Sequence, residues 1–146
     1  MSAGWLLRIR DSPDKEENMI NYGFTKQTDY SFEEAIAKVT EALQKEGFGV
    51  LTRIDLKEKF KEKLGVDFRK YTILGACNPA HAFKAVQAEE NVGLLLPCNT
   101  IVYEKDGKTV ISIVNPMAVM RPIGNDKLCD VAGHVEILLK RVFNSL

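Results

Sequence analysis

Apolar and polar positions recur along this chain with two different periods, and the switches between them outline its elements. Ile20, Tyr22 and Phe24 alternate with Asn21, Gly23 and Thr25, the two-residue period of a first strand. Phe32, Ala35, Ile36, Val39, Ala42 and Leu43 then recur at helical spacing behind Ser31, and Glu34 completes a capping box with that serine. Gly47 supplies the stop. Phe48, Val50, Thr52 and Ile54 predict a second strand. Asp55 with Glu58 opens a short helix that carries Leu56, Phe60 and Leu64 on one face and ends at Gly65. Phe68 to Cys77, rich in aromatic and branched residues, reads as a third strand.

Asn78-Pro79 starts the next helix. Asparagine caps a first turn, and proline at the first helical position gives up only an amide that has no partner there. Pro79, Ala82, Phe83 and Val86 form its inner face, to about Glu90. Val92 to Leu96 is continuously apolar, the pattern of a strand buried on both faces, and Pro97 interrupts it. Thr100 to Tyr103 and Thr109 to Val114 flank Asp106-Gly107, a hairpin signal. Asn115 to Pro122 reads as a proline-bounded loop with two exposed methionines, Met117 and Met120. Leu128, Val131, Ala132, Val135, Leu138, Leu139, Val142 and Phe143 mark a long amphipathic helix, capped by Asn125 or Asp126, that lies across the sheet. The order β-α-β-α-β-α-β-β-α, with a hairpin near the end, predicts a single compact α+β domain. Its sheet is mainly antiparallel or mixed, with helices packed on one face.

Composition narrows the function classes. The 146 residues suit one domain over 19–146, preceded by a flexible N-terminal extension over 1–18, where Asp11 to Glu17 is polar and aperiodic; Met19 is an alternative start. Twenty Lys and Arg balance twenty Asp and Glu, so no global basic field draws the chain to nucleic acid or to an anionic membrane. Lys57, Lys59, Lys61 and Lys63 alternate with Glu58 and Glu62 as a solvated helix face does. Trp5-Leu6-Leu7 is too brief for a signal core, and nothing approaches a membrane span of ~20 apolar residues. Three cysteines do not make a disulfide scaffold, so free thiols in the cytoplasm are expected.

The candidate chemistry gathers at two of those cysteines, each beside a proline and an asparagine: Ala76-Cys77-Asn78-Pro79 and Pro97-Cys98-Asn99. Cys77 falls where a strand meets a helix N-terminus, and unpaired amides and the helix dipole there favour a thiolate. His81, four residues on, can reach back along the first turn, which makes Cys77 and His81 the catalytic candidates. Cys77, Asn78, Pro97, Cys98 and Asn99 are the ligand-binding candidates. A right-handed parallel crossover between the third and fourth strands would set the two cysteine ends side by side. Twenty intervening residues exclude CxxC chemistry, and no CxxC or HxxxH spacing marks a structural zinc site. A soft-metal site drawing on Met117 or Met120 is a further alternative. Cys129 falls on the apolar flank of the last helix as packing, and His134 has no evident partner. No GxGxxG, Walker loop, GxSxG or HExxH occurs, so no cofactor is named. Both turns also read as purely structural, with Pro and Asn shaping them and small thiols filling space.

Tyr71-Thr72-Ile73-Leu74-Gly75-Ala76-Cys77-Asn78-Pro79 followed by Gly93-Leu94-Leu95-Leu96-Pro97-Cys98-Asn99 resembles the domain of unknown function three-hundred-two family. These are small uncharacterised prokaryotic proteins, also grouped as similar to a Thermus hypothetical protein. The resemblance spans about Asn21 to Leu146. It implies a compact α+β fold and a homodimer, and it carries no established activity. The expected function is therefore binding of a small ligand, anion or soft metal near the two cysteine turns. The alternative is a thiol-dependent redox or transfer enzyme with Cys77 as nucleophile.

Overall fold

The computed structural model describes residues 17–146. Its elements are β1 (Glu17–Ile20), β2 (Gly23–Thr28), α1 (Phe32–Lys45), β3 (Gly49–Asp55), α2 (Leu56–Leu64), β4 (Tyr71–Cys77) and α3 (Pro79–Ala88). A 3-10 turn over Glu90–Leu95 leads into β5 (Cys98–Lys105), β6 (Lys108–Val114) and α4 (Pro116–Met120), and a second over Arg121–Ile123 leads into α5 (Asp126–Asn144). Six strands form one sheet in the order β1-β2-β6-β5-β4-β3, and every neighbouring pair is antiparallel. The architecture is α+β.

Local chemistry sets the ends of these elements. The Ser31 hydroxyl accepts the Glu34 amide at 3.1 Å, the Asp55 carboxylate accepts the Glu58 amide at 3.0 Å, and the Asn125 amide oxygen accepts the Leu128 amide at 3.1 Å. Each removes one of the orphan donors of a helix start. At the β5–β6 hairpin, Asp106 and Gly107 take φ of 52° and 75°, the left-handed pair that matches the strands' twist.

Alternation then sorts the strands into two faces. Phe24, Leu74, Ala76, Val102, Ile111 and Ile113 point into the main core, which α1 and α5 close with Val39, Leu43, Leu139 and Val142. A smaller core joins Ala85 of α3, Val92, Met120 of α4, and Leu128 and Ala132 of α5.

Several sequence expectations change in the structure. The sheet begins at Glu17, which pairs with Lys26, while residues 1–16 of the expected extension lie outside the described residues. The first strand is a hairpin, β1 and β2, folded at Asn21-Tyr22. A bulge between Val50 and Thr52 breaks the predicted alternation of the second strand. Val50 pairs with Ala76 of the core face, but Thr52 and Ile54 pair with Gly75 and Ile73 of the other. The third strand starts at Tyr71 rather than Phe68. No residue of α2 is buried, and Leu64 is 70% exposed, because only Phe60 finds an aromatic neighbour, Phe68 at 5.2 Å. On α3 the buried residue is Ala85, whereas Phe83 and Val86 face outward.

Two differences bear on the site. Val92 to Leu96 is no strand: it winds as a 3-10 turn that buries Val92 and leaves Leu94 88% exposed. An apolar run of five has no period that tells strand from turn, and here it links the end of α3 to the start of β5. Pro97 accordingly precedes β5 and does not interrupt a strand. Asn115 to Pro122 is no loop either. The Asn115 side chain caps α4 by accepting the Met117 and Ala118 amides, which turns Met120 inward to 4% exposure and leaves Met117 half-buried.

Two substitutions test this packing. Lys26 is only 7% exposed, and its Nζ donates to the Phe143 carbonyl at 2.9 Å and to the Leu146 carbonyl at 3.4 Å, a cation placed at the C-terminal end of α5. Lys26→Met removes both contacts, leaving the Phe143 carbonyl only the Leu146 amide at 3.2 Å, and is expected to lower stability by about 2 kcal/mol in urea unfolding. A methyl group added at Gly75 meets the Thr52 hydroxyl and lies 2.7 Å from Pro97 Cγ. Gly75→Ala is expected to cost about 1–3 kcal/mol, part of which returns in Gly75→Ala/Thr52→Ala.

Candidate functional site

β4 ends at Cys77, Asn78 and Pro79 turn the chain into α3, and after the 3-10 turn β5 begins at Cys98. The parallel crossover expected from the sequence does not occur. β5 runs antiparallel beside β4, so its first residue lies against the last of β4, and Cys98 pairs with Ala76. The two cysteine signatures meet, by a different route from the one expected.

That register also separates the thiols. In a regular ladder Cys98 shares a face with Ala76, its partner, while Cys77 leaves the opposite face. Cys98 accordingly packs against the main core, whereas Cys77 occupies the strand end. Both border a cavity of about 30 Å³ between α3, α5 and the strand ends, with Phe48, Ala82, Val131 and Val135 among its walls. Its volume suits about one water-sized group. A wider groove of about 230 Å³ lies beside it, lined by Leu94, Leu95, Asn99, Val114 and Val119. Leu96, Pro97, Cys98, Pro116 and Met120 border both spaces.

Of the sequence candidates, Cys77, Asn78, His81, Pro97 and Cys98 border the cavity, while Asn99 is exposed and belongs to the groove. Asn78 holds the polar side together. Its Nδ2 donates to the Glu46 carbonyl at 3.3 Å, and its Oδ1 accepts the His81 amide at 3.4 Å and lies 3.1 Å from His81 Nδ1. An amide oxygen only accepts, so Nδ1 carries the imidazole proton and Nε2 keeps its lone pair. Gly47, at φ +85°, makes room for this arrangement, since a side chain there would begin 3.1 Å from Asn78 Nδ2.

Burial holds the His81 imidazole below its ordinary value, and the nearby charges of Lys84 and His134 push it the same way. His134, without a partner in the sequence, has its ring centroid 6.4 Å from that of His81. Burial also pushes the Cys98 thiol up to about 11, with a smaller contribution from Cys77. Cys98 is thus a protonated thiol at neutral pH. Cys129 is half-buried on α5 and borders neither space. Among the described residues, no three His, Cys, Asp or Glu side chains come together to hold a metal ion.

Phe48, Met120, Val131 and Val135 contribute walls that were read as core or loop. For Met120 a signal existed: Asn115-Pro116 repeats the Asn78-Pro79 pair that starts α3, and it starts α4 in the same way. The others carry only the helical or strand period shared by every core residue.

His81 yields a pH prediction. A histidine depressed in the folded state binds its proton more readily when unfolded, so its contribution is lost as pH falls below about 6.5. His81→Gln is expected to lose less stability than the parent protein between pH 7 and 5, read as the difference of two urea series. Identical pH slopes would contradict the assignment.

A crystal structure of an uncharacterized conserved protein DUF302 from Bacillus stearothermophilus is similar to this chain at TM-score 0.78 and 32% identity, covering 84% of this chain and 95% of that one. No curated protein matches. The family model described as Domain of unknown function DUF302 matches residues 24–146, which include both cysteine turns and every element from β3 onward, and the chain belongs to that family.

Proposed function

We propose that the protein is a binding domain that holds a small neutral ligand where its two cysteine turns meet, and that it captures this ligand without turning it over. One observation carries the reading: both turns border a single apolar cavity whose polar groups are thiols, an amide and an imidazole. Among the described residues no Lys or Arg lines that cavity to pair with an anion, and no three His, Cys, Asp or Glu side chains gather to hold a metal ion. Of the small-ligand, anion and soft-metal classes, this lining favours the first. Cys77, Asn78, Pro97 and Cys98 are the contact residues of the proposal, and Asn99 serves the adjoining groove.

Native mass spectrometry and metal analysis of the full chain, purified under reducing conditions, test this. A small adduct released on denaturation and weakened in Cys77→Ser is expected. An adduct-free protein, with Cys77→Ser behaving like the parent, would sink the idea.

A second reading is favoured by His81, which borders the same cavity as Cys77 and whose Nδ1 is engaged by Asn78 Oδ1, leaving Nε2 to accept a proton. It makes Cys77 the nucleophile of a thiol-dependent redox or transfer enzyme, with His81 as base. Iodoacetamide should then alkylate Cys77 much faster than a free thiol at neutral pH, and His81→Gln should slow it. A homodimer in the cytoplasm completes the proposal, and sedimentation at the dimer mass is its readout.

A further inference from the structure

The cavity at Cys77 is too small for an organic molecule, whereas the groove beside it is not. By water's share of liquid volume, about 230 Å³ holds roughly eight water-sized groups. The groove's walls are Leu94, Leu95, Leu96, Pro97, Val114 and Val119, and among the described residues no charged side chain lines it. Two of these residues are unusual. Leu94 is 88% and Leu95 38% exposed, apolar side chains held at the mouth of an uncharged groove by the 3-10 turn. Folding gains little from leaving them there.

We propose that this groove is the principal ligand seat, and that it takes a neutral, apolar molecule of roughly eight non-hydrogen atoms. The charge balance of the walls selects the class. An ion entering the groove gives up its hydration and meets no side chain of opposite charge among the described residues, while a neutral apolar molecule gives up only unfavourable water contact. Two groups orient it. The Cys98 thiol borders both groove and cavity, and the Asn99 side chain offers a donor and an acceptor at the rim. Met120 forms part of the wall between groove and cavity, and its unbranched thioether can adjust to the shape of the occupant. The inference rests on the binding reading above and moves the seat from the cavity to the groove.

The test is a calorimetric titration of the full chain with neutral indole and with anionic benzoate, two probes of about nine non-hydrogen atoms that match the groove in size. The neutral probe should bind at least tenfold tighter. Leu95→Asp, at an exposed position that folding tolerates, should weaken the neutral probe at least tenfold, while Leu64→Asp, exposed far from the groove, should leave it unchanged. Ala82→Leu fills the cavity and separates the two ideas. Binding lost in Ala82→Leu but kept in Leu95→Asp overturns the groove proposal and spares the cavity reading. Binding insensitive to both variants, or absent altogether, overturns the groove proposal, while the cavity reading stands or falls on the native-mass adduct and its response to Cys77→Ser. A dimer dissociated by Leu95→Asp with probe binding unaltered would assign the groove to a second copy of the chain, which also overturns the proposal.

Discussion

The candidate site depends on one backbone pairing, Ala76 of β4 against Cys98 of β5. Because the two strands are antiparallel, the end of one is the beginning of the other, and the segment between them has to leave and return at the same edge of the sheet. α3 takes the chain out and the 3-10 turn brings it back. Both signatures are therefore held by sheet hydrogen bonds, and the loops between them need not be rigid for the site to persist. A parallel arrangement would have required the return to cross the whole length of the sheet. With β4 ending at Cys77 and β5 beginning at Cys98, the two cysteines would then lie a strand's length apart.

Much of this was legible in the chain. Ser31, Asp55, Asn78 and Asn125 each precede an apolar helical stripe, and each caps a helix in the structure. Those starts are local chemistry, decided within one turn, and local chemistry survives the absence of tertiary information. Strand direction is not local. Nothing in Thr100 to Tyr103 says which neighbour it pairs with or which way it runs, so the proximity of Cys77 and Cys98 was expected for the wrong reason. Val92 to Leu96 failed for a related cause: a run of apolar residues records that something is buried, not which residues are, and only Val92 and Leu96 turn inward.

The same pairing that joins the cysteine turns also starts the two side chains from opposite faces of the strands. Alternation sends neighbouring side chains to opposite faces, so residues displaced by one along two paired strands are close in backbone and divergent in side chain. Gly75 and Pro97 show the other half of the rule. They share the face opposite Ala76, and the missing side chain of Gly75 is what lets the proline ring and Thr52 close over it. The conjunction of Gly75 with Pro97 in the two signatures is thus a packing requirement, legible once the register is known. Cys98, facing the core, is the member of the thiol pair whose surroundings are set by packing, and Cys77 is the member placed at the helix start.

Electrostatics then decides what such a site can recognise. His81 and Cys98 are both pushed toward their neutral forms, one by a lowered and the other by a raised value, and burial is the leading cause in each. Asn78 spends its amide on Glu46 and His81, so it stabilises the arrangement and presents no charge. A lining that disfavours its own charges disfavours a ligand's charge for the same physical reason. Under the binding proposal, selection comes from shape and from apolar contact, with a thiol, an imidazole nitrogen and a rim amide fixing orientation. A helix N-terminus such as that of α3 ordinarily favours an anion, but the capping of its first turn by Asn78 satisfies one of the amides that would attract it. The feature that marks Cys77 in the sequence thereby serves to hold the fold, and under the binding proposal the selective surface is the apolar part of the second signature, Leu94 to Pro97.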